Sequence, residues 1–450
     1  MNNHVPSHCG FHFPLTVCLF GWILTAAILG ADHYVAQNGQ APSGTYTSWE
    51  TAASNIQDAL NVAYTNSTVW VGAGRYTAST SSVDYAGTNV VYINRALTLR
   101  SSNSVPGNAI IDGQGSNRGI AIVYSGSTTN LFVINGFIIS NCSANVTSSL
   151  TDVRCYGGGI MFKPAVNSTW TGMVQNCVIS GNSTGPGSTY DAGGGIYGGY
   201  TTSGRYFLLV TNCVVRGNRN LTGRGGAYFA YLATTANALI TRCLIETNWS
   251  QSHGGGIYSS GPLLVESCVM RSNVTATGSS LGAAMYQLYG VAAMRNCLIY
   301  NNGNQGALCA NNGSLEIYNC TIVNNYGLGA RVDASGKLYV FNTISYSNSG
   351  GNLSLAGGSG SFTNTCSYPS NTTFMLTGTG NITNNPQFVD FAGQDFNLST
   401  ASPCINSGLN QAWMEYAGDF ENHSRIDRFS GRVDMGCYEY LPRGLMFKVR

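Results

Sequence analysis

Between residues 135 and 348 short apolar runs alternate with small or polar breaks, and one phrase returns with minor edits. Its first half is a glycine run closed by an aromatic: Gly193-Gly194-Gly195-Ile196-Tyr197, Gly225-Gly226-Ala227-Tyr228, Gly254-Gly255-Gly256-Ile257-Tyr258 and Gly282-Ala283-Ala284-Met285-Tyr286. Its second half is a box that starts and normally ends on Asn, as in Asn176-Cys177-Val178-Ile179-Ser180-Gly181-Asn182. Further copies begin at Asn212, Asn296 and Asn319, Arg242 and Ser267 replace the first residue, and degenerate copies open at Asn135 and Asn342. The apolar runs are short, β-branched and alternating, which predicts strands rather than helices. Gly and Asn tolerate left-handed backbone angles, so the breaks between runs read as corners.

Successive boxes lie 41 residues apart at the start (135 to 176) and 23 at the end (319 to 342). Fixed content with a variable gap describes a solenoid whose turns carry loops of different length. A coil of about 23 residues with several short strands and no helix is the size of one turn of a parallel β-helix. Ahead of it, Trp49 and the period through Ala53, Ile56, Leu60 and Ala63 predict a capping helix, with Ser54 and Gln57 as a capping box. His33-Tyr34-Val35-Ala36 and Val69-Trp70-Val71 flank it as strands. A solenoid has to cover its first coil, because an open strand edge recruits other chains.

These repeats resemble the right-handed parallel β-helix proteins of the pectate-lyase-like superfamily. Trp70-Val71-Gly72-Ala73-Gly74-Arg75-Tyr76 matches that family's first coil. In the tail, Asn385-Pro386-Gln387-Phe388-Val389-Asp390, Ser402-Pro403-Cys404-Ile405-Asn406-Ser407-Gly408 and Val433-Asp434-Met435-Gly436-Cys437-Tyr438-Glu439 resemble the closing module called choice-of-anchor Q. The resemblance implies an all-β, single-stranded, right-handed parallel β-helix of about ten coils. Its divisions would be a signal peptide over residues 1–31, a cap and first coil over 32–77, repeats over 78–384 and a closing module over 385–450. That module is expected to fold over the final coil, with Cys404 and Cys437 bridged; Cys142 with Cys155 is a second candidate pair.

Composition narrows the partners. Charged residues are 9% of the 450, and the net charge is +2, so no polyanion or nucleic-acid groove is indicated. The apolar run over residues 13–30 reads as a secretory signal; an uncleaved N-terminal anchor is the other reading. Either exports the body, and the mature chain carries no further span. Fourteen cysteines in an exported chain ordinarily mean disulfides. Here Cys177, Cys213, Cys243, Cys268, Cys297 and Cys320 share one box position. They should stack about 4.8 Å apart as a buried, unbridged ladder. A metal array is the sharper alternative, though no His accompanies them.

Candidate chemistry is sparse. Aligned on the glycine run, Met161, Tyr197, Tyr228, Tyr258, Tyr286, Cys309 and Arg331 share one position, which alternation turns outward. Such a row serves either as a platform for sugar rings or as an aromatic ladder that stabilises the sheet. Arg216, Glu246 and Arg271 form a second column, read as an exposed ion-pair ladder or as a catalytic cluster. A lyase needs a base for the proton α to a uronate carboxylate, with Ca²⁺ or a cation to neutralise that carboxylate. Only three lysines exist, at 163, 337 and 448, while Asp152, Asp191 and Asp333 are isolated. His253, the one imidazole of the repeat body, with Arg224 and Tyr228 or Tyr258, is the trio to test for catalysis.

Two functions remain open. One is a secreted or surface-associated, non-catalytic monomer without cofactor, binding polysaccharide through Tyr197, Tyr228, Tyr258 and Tyr286. The other is a polysaccharide lyase or related carbohydrate-active enzyme, in which Ca²⁺ would be the cofactor.

Overall fold

The computed structural model describes residues 30–78, 83–84, 87–103, 107–124, 130–144, 155–164, 168–185, 193–200, 205–232, 236–276, 278, 280–369 and 378–441. The expected signal segment, except Gly30 and Ala31, lies outside the described residues, as do Asp152, Asp191 and Lys448. Three long sheets run the length of the body. The first has twelve strands, from Asp32–Val35 to Ser359–Thr363; the second has eleven, from Gly74–Tyr76 to Cys366–Tyr368. The third also has eleven, with Gly351–Leu355 at one end and a short antiparallel pairing of Val83–Asp84 with Gly87–Ile93 at the other. A five-stranded strip from Ser143–Ala144 to Val274–Thr275 lines one corner.

Coils that reach the strip visit the four layers in one order. Arg205–Thr211 lies in the first sheet, Val214–Arg216 in the second, Arg219–Asn220 in the strip and Tyr228–Tyr231 in the third, before Asn237–Thr241 re-enters the first. Ladders are parallel and in register, so Val215 pairs with Ile245, Ile245 with Met270 and Met270 with Ile299. That column points inward and is fully buried, as period-two alternation requires of a strand with one face in the core.

The Asn/Cys box makes two corners. Its first residue is left-handed at every copy: φ is 54° at Asn176, 52° at Asn212 and Arg242, 51° at Ser267 and 47° at Asn319. The next residue caps this bend from inside. The Cys177, Cys213 and Cys243 thiols each donate to the carbonyl two residues back at 3.2 Å, and Thr343 Oγ1 does the same to Phe341 at 2.8 Å. Thr therefore substitutes for Cys because the position asks for a small donor. The six ladder cysteines are buried and unbridged. The register corrects the copy at Asn135: Gly136 (φ 87°) takes the corner and Phe137 the cysteine's place, since Ile138 pairs with Val178.

The last Asn of the box does something the repeat alone did not reveal. Asn182, Asn218, Asn248, Asn273, Asn302 and Asn325 are essentially unexposed and form one amide ladder inside the corner. Each Nδ2 donates to the Oδ1 of the next coil's Asn at 3.0 Å, or 2.8 Å from Asn325 to Asn348. The backbone N–H of each donates to the same oxygen, and the second amide hydrogen goes to a strand carbonyl. A buried carboxamide costs nothing extra when all its hydrogen-bonding positions are matched, and Asn repeated in register matches itself.

At the N-terminal end the helix spans Ile56–Val62 and buries Ile56, Ala59 and Leu60 against the first coil. Asn55, one residue after the expected Ser54, is its cap, accepting from the Asp58 N–H. Gln57 faces inward instead of closing a capping box, exchanging hydrogen bonds with the backbone of Tyr92. The tail packs on the last coil and then continues back along the flank of earlier ones. First-corner side chains hold it there, with Asn364 donating to Ser407, Asn342 to Leu409, Asn319 to Asp434 and Asn296 to Gly418. Residues 378–382 pair with the last coil, through hydrogen bonds between Asn364 and Thr379, Ile382 and Thr365, and Ser367 and Ile382.

Candidate functional site

The outer face of the third sheet carries the aromatic column. Gly157, Gly193, Gly225, Gly254 and Gly282 start its coils in the left-handed region, with φ between 60° and 75°. At Gly254 an added Cβ would also meet the Ile257 carbonyl at 2.5 Å, so glycine is required for conformation and for space. Counting from these glycines, the outward position holds Met161, Tyr197, Phe229, Tyr258, Tyr286 and Cys309. Tyr228 is one residue short of it. It pairs with Ile196 and Ile257, points inward and is buried in the core, which corrects its expected outward placement. The physical reason is that Gly225-Gly226-Ala227 fills the three-residue glycine turn by itself, pushing Tyr228 into the isoleucine position. Space for its ring comes from Gly198, where a Cβ would lie 2.6 Å from the Tyr228 hydroxyl.

The column is not an open trough. Ring centroids stack at 5.6 Å from Tyr197 to Phe229, 5.1 Å from Phe229 to Tyr258 and 5.4 Å from Tyr258 to Tyr286. Tyr156 closes one end at 4.7 Å, and His253 lies on Tyr286 at 4.3 Å. Tyr197, Tyr258 and Tyr286 are 4%, 1% and 4% exposed. Their faces point along the axis into one another, so none is free to receive a sugar ring.

The structure does bring Arg224, Tyr258 and His253 together, but as one packed pile. Arg224 sits over the Tyr258 ring at 5.2 Å and donates to its hydroxyl at 3.2 Å. The Leu281 N–H donates to His253 Nδ1 at 2.9 Å, which consumes the lone pair a general base needs. Burial pushes the Tyr258 phenol up to about 12, away from a usable phenolate, and burial with the nearby Arg224 charge lowers His253 to about 4. A histidine held below its ordinary 6.5 contributes stability above that value and loses it as pH falls toward 4. Discounted for partial exposure, the loss is roughly 2 kcal/mol. Melting temperature recorded between pH 6.5 and 4 should therefore fall more for the wild type than for His253→Phe; superimposable profiles would refute the assignment.

On the second sheet the charge column forms as registered: Arg216 pairs with Glu246, and Glu246 with Arg271. Arg271 binds Glu246 at 2.7 Å and the Tyr300 hydroxyl at 2.8 Å. Half-exposed and joined to its neighbours, this is a surface ion pair worth at most about 1 kcal/mol. Among the described residues no three His, Cys, Asp or Glu side chains are grouped to hold a metal ion.

A concave site lies elsewhere, where sequence reasoning did not look. The tail and the coils around residues 241–296 enclose a cleft of about 800 Å³, lined by Arg242, Glu266, Ser267, Asn296, Tyr416 and Glu421 among others. Tyr416 stands at its lip, 91% exposed, at the end of the 3₁₀ turn Ala412–Tyr416. Burial raises the Glu266 carboxyl against the opposing pull of Arg295 and Arg242. Asn296 donates to the Gly418 carbonyl at 2.9 Å, yet its own buried Oδ1 accepts from no described residue. An open aromatic face with a cation and a carboxyl in the same cleft can stack on a hydroxyl-rich ring and exchange hydrogen bonds with its hydroxyls.

The family model described as a right handed beta helix region matches residues 230–389. Among solved structures, pectate lyase Pel9A superposes over 91% of this chain and 96% of its own, at 14% identity and a TM-score of 0.56. The chain is a right-handed parallel β-helix. A rhamnogalacturonan lyase matches over 83% of this β-helix and 96% of its own chain, at 12% identity and a TM-score of 0.41. No curated protein matches the β-helix in sequence. Among the described residues no helix is long and apolar enough to cross a membrane.

Proposed function

We propose that this β-helix is exported, remains secreted or associated with the cell surface, and binds polysaccharide without cleaving it. The observation that carries the reading is the tail cleft, which exposed Tyr416 lines together with Arg242 and Glu266. The likeness to a pectate lyase suggests the ligand class. His253 and Tyr258 are poorly placed to take a proton from a substrate, since the Nδ1 of one is hydrogen-bonded to Leu281 and the phenol of the other is buried. Binding moves from the tyrosine column to the cleft because the column's ring faces are already used.

Retention in gels cast with uronate and neutral polysaccharides tests this directly. The Tyr416→Ala, Arg242→Ala double variant should weaken retention at least tenfold, while a fold-neutral change on the far face leaves it intact. Equal retention by wild type and double variant would rule out the cleft. Release of unsaturated, ultraviolet-absorbing products from the same polymers would establish a lyase instead.

A further inference from the structure

The tail cysteines expected to bridge do not meet. Cys437 packs against Leu298, Tyr300, Val323 and Phe396, and its N–H donates to Thr321 Oγ1 at 3.1 Å. Cys404 belongs to a different apolar cluster, with Ile344, Cys366, Leu398 and Met435. Cys366 follows Ile344 in an outward column of the second sheet, in the ladder that pairs these two residues. Because the tail lies over that face, Cys404 approaches Cys366 from the opposite side.

We propose that Cys366 and Cys404 form a disulfide that fastens the tail to the last coil. Both are fully buried free thiols gathered in one apolar cluster. Side chains that face each other across a docking surface can direct their Cβ–Sγ bonds toward one another, as a bridge requires; the ladder cysteines all point the same way. The ladder thiols are also committed to the carbonyls two residues back, whereas the Cys366 thiol donates to Asn384, a tail-side carbonyl at 3.3 Å. Bond formation removes one hydrogen from each thiol and joins the sulfurs, while a disulfide donor of the export compartment is reduced to its dithiol. Burial places this exchange before the tail finishes docking. The bridge closes a loop from residue 366 to residue 404, ahead of the tail residues 416–422 that line the cleft.

This inference rests on the export reading, and two preparations separate them. Full-length protein recovered from an oxidising export compartment, denatured, alkylated and digested without reductant, should yield one peptide pair linking Cys366 to Cys404, with Cys437 alkylated. The same mapping follows equilibration of reduced full-length protein in a glutathione redox buffer. A bridge in either sample supports the pair; recovery of the chain only from the reducing compartment overturns export and leaves the pair to the buffer sample; free thiols at both positions in both samples overturn the pair. As a second measure, Cys404→Ser and reductant-treated wild type should both melt about 5 °C below oxidised wild type, with no added effect of reductant on the variant. A melting temperature indifferent to reductant in the wild type would also overturn the bridge.

Discussion

Replacing Asn273 with Ala should lower the unfolding free energy by about 4 kcal/mol, a large effect for a residue that never touches solvent. Its Oδ1 accepts from both the N–H and the Nδ2 of Asn248, and its Nδ2 serves the Ile245 carbonyl and Asn302 Oδ1. Removal strands three buried partners, because Asn302 Oδ1 keeps the backbone N–H of residue 273. Each stranded group costs on the order of 1–3 kcal/mol, only partly recovered by relaxation or an entering water. Asn212, in the same box, offers the control. Its φ of 52° is what the chain needs there, so Asn212→Gly should shift stability by only a few tenths of a kcal/mol. Urea denaturation of the two variants separates these roles: equal losses would mean that the ladder contributes no more than the corner.

Tyr258→Ala should cost about 3–5 kcal/mol, the range for emptying a buried aromatic site. Phe229 and Tyr286 stack on its two faces at 5.1 and 5.4 Å, and Arg224 would lose both a ring and a hydroxyl partner. Polysaccharide retention, measured well below the lowered melting temperature, should stay within twofold of wild type. Tyr416→Ala should show the opposite pattern, with unchanged melting and weakened retention, because that ring is almost wholly exposed. If Tyr258→Ala abolished retention while the chain remained folded, the ring pile would have to open to ligand, and the cleft assignment would fail.

The contrast between these two tyrosines marks how far sequence reasoning reached. Periodicity made the coils, the corners and the outward direction of Tyr197, Tyr258 and Tyr286 legible, because a wound ribbon stacks equivalent residues at fixed spacing. It misplaced Tyr228 by one residue, since an alignment anchored on the aromatic letter overlooks a glycine turn that Ala227 completes. It left platform and ladder as alternatives because periodicity carries direction and no information about packing along the axis. The alternating charges of Arg216, Glu246 and Arg271 followed from the same stacking.

Position in the repeat also concealed what each Asn does. The first residue of the box is an outer corner whose side chain docks the tail where the tail is present, as at Asn296, Asn319 and Asn342, and it varies freely to Arg242 and Ser267. The last is a buried link in an amide ladder, and it does not vary from Asn182 to Asn348. By itself the sequence determined the winding, because strand period, corner residues and coil length are local properties that repeat. The tertiary structure alone decided which tyrosine is open, which cysteines face one another and where a cleft forms. Tyr258 is closed by its neighbours in adjacent coils, while the cleft and the cysteine pair depend on the tail returning over the coils, through contacts as far apart as 122 residues that no local period encodes.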